Sequence, residues 1–214
     1  MTLKVMLVDD HAVVRTGFKL LLQACNDIEV VAEADSGEAA CQMYEAVAPD
    51  VVVMDIAMAG MGGIEAIKRL LAKNSRARIL ALSAHEDTSH PKRALQAGAL
   101  GYLSKRSAPE VLIDAIRLIA QGQRYLDAQI AQRMAMQDLT GKQGPMEKLS
   151  AREFEVFMQL ARGQSVAQIS GTLALSSSTV GTHLYNIKQK LRLVNQAEMA
   201  LLAVRHGLID VAAG

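Results

Sequence analysis

Over the first 122 residues, short apolar runs take turns with amphipathic stretches. Lys4–Val8 is an apolar run that ends in acid, and Val14, Phe18, Leu21 and Leu22 within Val13–Ala24 recur at helical spacing. Ile28–Ala32 predicts a second strand. Ser36 is placed to cap a helix with Ala40, Met43, Tyr44 and Val47 on one face. Pro49 and Asp50 punctuate the chain before Val51–Met54, a continuous apolar strand. Gly60–Gly63 breaks the pattern ahead of a helix over Ile64–Lys73, and Ile79–Leu82 is a fourth strand. A short helix follows and ends at Gly98. Gly101–Leu103 is the fifth strand, and the S-x-x-E pattern of Ser107 to Glu110 predicts a capping box opening a helix to about Gln121. Five such repeats, with strands rich in Val, Ile and Leu, predict a doubly wound α/β fold with a five-stranded parallel sheet covered on both faces. Ligands of such sheets sit at the carboxyl ends of the strands.

The rhythm changes after residue 122. Residues 123–148 read as a connector, with recurrent Gln, with Gly141, Gly144 and Pro145 marking a flexible stretch, and with a short helix from Asp127 to about Gln137. From residue 149 to 214 strand signals stop. Ser150 to Glu153 is a second capping box, opening a helix that buries Phe154, Phe157, Met158 and Ala161 and ends at Gly163. Ser165 caps a short helix with Val166, Ile169 and Leu173. Ala174, Leu175 and Ser176 make a tight turn. Ser176 then caps a longer helix with Val180, Leu184, Ile187 and Leu191 on one face. A last helix spans about Gln196 to Arg205, and Gly207 ends it. A short helix, a tight turn and a longer helix in a small all-α unit of four helices is a helix-turn-helix arrangement.

Charge follows the same division. Residues 1–122 carry 13 Lys and Arg against 15 Asp and Glu, whereas residues 146–214 carry 7 against 5, so the C-terminal unit is mildly basic and suited to nucleic acid. Trp is absent and aromatics are 3%, which argues against base-stacking platforms and aromatic ligand cages. Two cysteines, Cys25 and Cys41, are too few for a disulfide framework or a Cys-rich zinc site and fit a reducing, cytoplasmic setting. No run of 18 apolar residues predicts a membrane span. The N-terminus runs straight into a strand and does not read as a signal peptide.

The candidate chemistry lies at the strand ends. Asp9 and Asp10 close the first strand and Asp55 closes the third, and in a doubly wound sheet those strands are neighbours. Clustered carboxylates repel unless a cation joins them. Mg²⁺ suits such an oxygen-rich site, with the backbone carbonyl of Ala57 completing the coordination. Lys105 follows the fifth strand and Ser83 closes the fourth, one offering a charge and the other a hydroxyl to an anion held there. Metal, lysine and hydroxyl around acids suit phosphoryl transfer to a carboxylate, with Asp55 as the nucleophile at the centre of the sheet.

Leu7-Val8-Asp9-Asp10-His11, Met54-Asp55-Ile56, Ala81-Leu82-Ser83-Ala84 and Gly101-Tyr102-Leu103-Ser104-Lys105 resemble the receiver domain of two-component response regulators, over about residues 3–121. The resemblance implies that Asp55 accepts phosphate from a sensor histidine kinase, that Asp9 and Asp10 bind Mg²⁺, that Lys105 holds the phosphate and that Ser83 and Tyr102 form a switch pair. Two departures stand beside the acceptor: Ala59 follows Met58 where the family often has proline, and Gly62 replaces an acid. With Gly60 and Gly63 nearby, a looser loop is expected.

Leu149-Ser150-Ala151-Arg152-Glu153, Ala161-Arg162-Gly163, Leu175-Ser176, Thr179-Val180, Thr182-His183 and Lys190-Leu191 resemble the LuxR-type helix-turn-helix. Receiver plus this unit is the NarL/FixJ architecture. Ala120–Tyr125, Gln129–Gln132 and Ala200–Gly207 further resemble its GacA/UvrY-type members. The implied protein is a transcription regulator and not an enzyme, binding double-stranded promoter DNA as a homodimer. The family usually has lysine where Ser178 and Gly181 stand, so fewer phosphates are neutralised here. Thr179, Thr182, His183, Asn186, Lys188, Lys190 and Arg192 remain as candidate DNA contacts, and Met199, Leu201, Leu202 and Val204 of the last helix as a candidate dimer face. The missing lysines leave one alternative, a phosphorylation-gated interaction or phosphate-sink module with weakened DNA binding. A small-molecule enzyme on the same fold is disfavoured, because Val8–Val13 has no Gly-rich phosphate loop.

Overall fold

The computed structural model describes residues 2–58, 60–84, 89–140, 144–173, 175–206 and 208–209, without the side chains of residues 138, 140 and 151. Ala59, Gly141, Ala174 and Gly207, each used above as a departure or a loop marker, lie outside the described residues. The chain divides into two compact units, one built mainly from Met1–Ala84 and His90–Ala131, the other mainly from Gln132–Gly214.

In the first unit the strands are β1 (Leu3–Val8), β2 (Ile28–Ala34), β3 (Val51–Asp55), β4 (Ile79–Ser83), β5 (Gly101–Ser104) and β6 (Tyr125–Leu126). They form one sheet in the order β2-β1-β3-β4-β5-β6, and every neighbouring pair is parallel. The connections hold α1 (Ala12–Gln23), α2 (Gly37–Val47), α3 (Gly63–Lys73), α4 (Ser89–Gln96) and α5 (Pro109–Ala120). Val5, Leu7, Val51, Val53, Leu80, Leu82 and Leu103 pack with Leu22 of α1 and with Leu112, Ala115, Ile116 and Ile119 of α5. Their alternates Met6, Val52, Met54, Ala81 and Tyr102 are buried too. Successive strand side chains point to opposite faces, so both faces are covered, which is why the strands read as unbroken apolar runs.

The expected five-stranded sheet gains a sixth strand. Tyr125 and Leu126 pair with Gly101 and Tyr102. Two residues are too short to show a period-2 pattern, and the approach depends on Gly101, where a Cβ would lie 2.8 Å from the Tyr125 carbonyl oxygen. Helix α5 also starts differently from expectation. Its N-cap is Ala108 with Pro109 in the first turn, and no side chain caps it. Ser107 instead donates to Asp127 Oδ2 at 3.1 Å. Ser36 does cap α2, accepting from the Ala39 amide at 3.3 Å.

The glycine-rich loop after Asp55 is attached to α2 at one point. Glu38 Oε1 accepts from the Met61 amide at 2.8 Å. Gly63 opens α3 directly against β3, where a Cβ would collide with the Asp55 carbonyl and sit 2.6 Å from Ile56 Cα.

The second unit holds a 3₁₀ turn at Pro145–Lys148 and helices α7 (Ala151–Ala161), α8 (Val166–Leu173), α9 (Ser177–Leu191) and α10 (Gln196–Arg205). In the sequence, α6 (Ala128–Thr140) follows β6 and precedes the 3₁₀ turn, and it is longer than the connector helix expected. Phe154, Phe157, Ile169, Leu173, Val180, Ile187, Met199 and Ala203 meet in one core. Gln196 Nε2 donates to the carbonyls of Leu160 and Gln164, at 2.7 and 3.1 Å, so α10 closes the end of α7.

Gly63→Ala should destabilise the first unit by about 1–3 kcal/mol, because the added methyl meets backbone that cannot move aside. A lowered urea midpoint for its unfolding checks this, and an unchanged midpoint would contradict the close approach.

Candidate functional site

The middle strands end side by side, so their last residues share one edge. Val8 of β1 pairs with Met54 of β3, which brings Asp9 beside Asp55. Ser83 of β4 pairs with Ser104 of β5, which brings Ser83 beside Lys105. Asp9 and Asp55 are 3% and 1% exposed, so neither acid is solvated by bulk water. Lys105 answers both: its Nζ lies 2.6 Å from Asp9 Oδ2 and 2.8 Å from Asp55 Oδ2. Asp55 Oδ1 accepts the Ala57 amide at 2.9 Å, and Asp9 Oδ1 accepts the His11 amide at 2.9 Å. Arg15 Nη1 donates to the Asp9 carbonyl at 2.6 Å, pinning the end of β1 to α1.

Burial pushes the Asp55 carboxyl above the ordinary carboxylate value, against the pull of Lys105 and the Ala57 amide. Burial alone would depress Lys105, but Asp55 and Asp9 outweigh it and hold the ammonium above its usual value. The lysine is therefore a fixed positive charge. Asp9, Asp10, His11 and Asp55 each bring one ligand atom within 4.8 Å of the others. Three of these are carboxylates, a donor set that fits a hard divalent cation. His11 Nδ1 lies 2.8 Å from Asp10 Oδ1. Ser83 is fully buried, and its carbonyl accepts the Lys105 amide at 2.8 Å. The ring of Tyr102 is fully buried as well, so it already occupies an inward position.

In the helical unit Ser176 caps α9, accepting from the Thr179 amide at 3.1 Å. Thr182 is exposed, and its hydroxyl donates to the Ser178 carbonyl at 3.0 Å. Thr179, His183, Asn186 and Lys188 are half-buried, and Arg192 is exposed at the left-handed C-cap. Lys190 Nζ lies 2.6 Å from Glu153 Oε2, with its side chain 40% exposed. Beside Gly181 a Cβ would meet nothing within 4 Å, so the space there is open. Of the four apolar residues of α10, Met199 is fully buried, Leu202 packs against the core and Leu201 is half-exposed at 51%.

Residues 5–117 match the response regulator receiver domain, and residues 147–203 match the luxR family of bacterial regulatory proteins. The response regulator GacA of Pseudomonas aeruginosa is 40% identical over 212 residues, covering 98% of this chain and 99% of that one. The response regulator UvrY of Escherichia coli K12 is 39% identical over 210 residues, covering 97% and 96%. This chain is a response regulator of the NarL/FixJ type. A LuxR-family response regulator from Aurantimonas is 39% identical with a TM-score of 0.63, over 65% of this regulator and 99% of that chain. RcsB of Salmonella enterica serovar Typhimurium, solved on promoter DNA with a phosphomimetic, has a TM-score of 0.75 over 94% of this regulator and 98% of that chain. At 22% identity that likeness bears on the fold alone.

The regulator therefore joins a receiver to a LuxR-type DNA-binding domain and acts in transcription regulation, which implies a kinase and promoter DNA as partners. Among the described residues no helix is long and apolar enough to cross a membrane. Reading the sequence assigned no role to His11 or Tyr185. His11 follows two strand-end acids, and that adjacency was the available signal. Tyr185 is 63% exposed on α9, and its place outside the Val180, Leu184, Ile187 and Leu191 stripe was the signal there.

Like Asp9 and Asp55, Glu153 is a buried carboxylate with a lysine partner. Burial pushes it up, but hydrogen bonds from Lys190 and Ser150 outweigh this and leave it below its ordinary value. A depressed carboxylate contributes stability above its unfolded value of 4.5, lost as pH falls through the lower folded value. Acid unfolding of the helical unit should steepen in that window. Glu153→Gln should flatten it and cost about 2 kcal/mol at neutral pH, read by urea unfolding across the range.

Proposed function

We propose that Asp55 accepts a phosphoryl group from the phosphohistidine of a sensor kinase, with Mg²⁺ as the cofactor, and that this state binds promoter DNA as a homodimer in the cytoplasm. The receiver is then residues 1–122, the linker 123–148 and the DNA-binding domain 149–214. The observation that carries the reading is Asp55, 1% exposed at the end of the central strand, sharing the Lys105 ammonium with Asp9.

In the transfer an Asp55 carboxylate oxygen bonds to phosphorus while the phosphorus–nitrogen bond breaks, and its electron pair returns to the imidazole of the kinase. Lys105 moves from the carboxylate to a phosphoryl oxygen, keeping a positive charge where negative charge accumulates. Asp9, Asp10, Asp55 and the Ala57 carbonyl are the residues that would hold Mg²⁺, which when bound neutralises the phosphoryl oxygens. The Ser83 hydroxyl donates to another of those oxygens, and the buried ring of Tyr102 repacks with it as a shift between two packings.

In the DNA-binding domain α9 lies in the major groove, and two copies read paired half-sites, since one short helix buries too little surface to select a site. Thr179, Thr182, His183, Asn186, Lys188, Lys190 and Arg192 face the DNA on this reading, and Lys190 also holds α9 to Glu153. Leu201 supplies the apolar contact between copies.

Acetyl phosphate with Mg²⁺ should label the wild type, and neither Asp55→Asn nor chelator-treated protein should take label. Persistent labelling of Asp55→Asn at another residue would refute the assignment.

Lys188→Ala should weaken binding to all promoter fragments alike and reduce the salt slope by about 1 if it meets phosphate, or relax one base position if it meets a base edge. Should binding be unchanged in Lys188→Ala at every salt concentration, the interaction-module reading takes its place.

A further inference from the structure

Resting on that reading of the receiver, we propose that Asp127 is a positioning residue that ties the phosphate-binding lysine to the first turn of the linker helix α6. The turn that carries Lys105 is closed by the Ser107 amide donating to the Ser104 carbonyl at 3.1 Å and the Arg106 amide donating to Ser104 Oγ at 3.2 Å. Lys105 and Ser107 therefore move as one piece. Ser107 does not cap α5; its hydroxyl donates to Asp127 Oδ2 at 3.1 Å. The other carboxylate oxygen of Asp127 accepts the amides of Gln129 and Ile130, at 3.0 and 3.3 Å, and so caps α6. The Asp127 amide donates to the carbonyl of Tyr102 at 3.2 Å.

One side chain thus reaches both the lysine turn and the N-terminus of the helix that leads into the second unit, while its own backbone is bonded to the proposed switch residue. A carboxylate is the right group for this place. It has two oxygens, one for the helix amides and one for the hydroxyl, and it carries a negative charge at a helix N-terminus. A serine or threonine would cap the helix and leave the lysine turn untied. When Lys105 exchanges a carboxylate for a phosphoryl oxygen, its turn shifts, Ser107 shifts with it, and the cap of α6 is tightened or released. The linker helix thereby senses the acceptor site through one hydrogen bond, with the Tyr102 carbonyl as a second point of attachment.

The test separates the tie from the cap. Ser107→Ala removes the tie and keeps the cap, and Asp127→Ser keeps a capping hydroxyl while withdrawing the second oxygen. The full chain is labelled with acetyl phosphate, and amide exchange at Gln129 and Ile130 is compared with and without label. Both variants should take label as the wild type does. In the wild type phosphorylation should change exchange at these two amides by about five-fold or more, and in either variant most of that response should vanish. The double variant should lose no more than each single one, as expected when both remove the same interaction. An unchanged exchange response in Ser107→Ala and Asp127→Ser, or none in labelled wild type, overturns the proposal. Absence of label in the wild type instead overturns the acceptor reading beneath it. The gain in promoter affinity on phosphorylation should shrink in parallel in both variants, and full retention of that gain would also count against the tie.

Discussion

Two acids buried at one sheet edge are stable neighbours only with a cation between them, and Lys105 is that cation here. Its Nζ lies within 2.8 Å of both Asp9 and Asp55. Much of the first unit serves to bring these three together. The parallel order sets β1 beside β3, so the strand ends deliver both acids. β5 delivers the lysine from two strands away, across β4. Removing one charge from such a cluster would leave the others desolvated and unmatched, which is the costly outcome for buried ions. The same imbalance would make the cluster responsive: on the proposed reading, a phosphoryl group would change the charge on Asp55, and the lysine would follow it.

The helical unit uses a smaller version of the same device. Glu153 is the third residue of a capping box at the start of α7, where its carboxylate accepts the Ser150 amide at 2.7 Å. It also takes Lys190 from the far end of α9. One carboxylate thus fixes the start of α7 and helps set the position of α9. Arg152, next to it, donates to the Leu173 carbonyl at 2.8 Å and ties the end of α8 to the same place. The angle between the helices rests on side chains near residue 150, well away in sequence from those that would meet DNA.

The strands and helices were legible because their apolar residues are local and periodic. Val51–Val53 and Ile79–Leu82 can hardly be anything but covered parallel strands. The acceptor site was legible because strand ends place Asp9, Asp55, Ser83 and Lys105 by topology alone. What escaped were features set by a partner far along the chain. Tyr125 and Leu126 form a strand only because Gly101 leaves room for them. Ser107 satisfies the S-x-x-E pattern, yet Pro109 starts the helix one residue later and frees the serine for Asp127. The pairing of Lys190 with Glu153 escaped because that carboxylate lies 37 residues away.

Those corrections bear on how this regulator would hold DNA. Ser178 and Gly181 carry no charge, and Lys190 shares its charge with Glu153. On α9 and its cap, Lys188 and Arg192 make no hydrogen bond or ion pair through their side chains among the described residues. With few cations facing the phosphates, the non-specific part of the affinity of a single copy is small. The open space beside Gly181 would allow DNA a closer approach on the proposed reading, but it adds no charge. On the proposed dimer, most of the useful affinity would then come from joining two copies, since a second half-site engaged from the same dimer multiplies binding without any new contact in either half. A weak single interface would hand control of DNA binding to whatever governs pairing of the copies. If phosphorylation of Asp55 governs that pairing, as proposed, the signal would count for more than it could with a strongly basic α9.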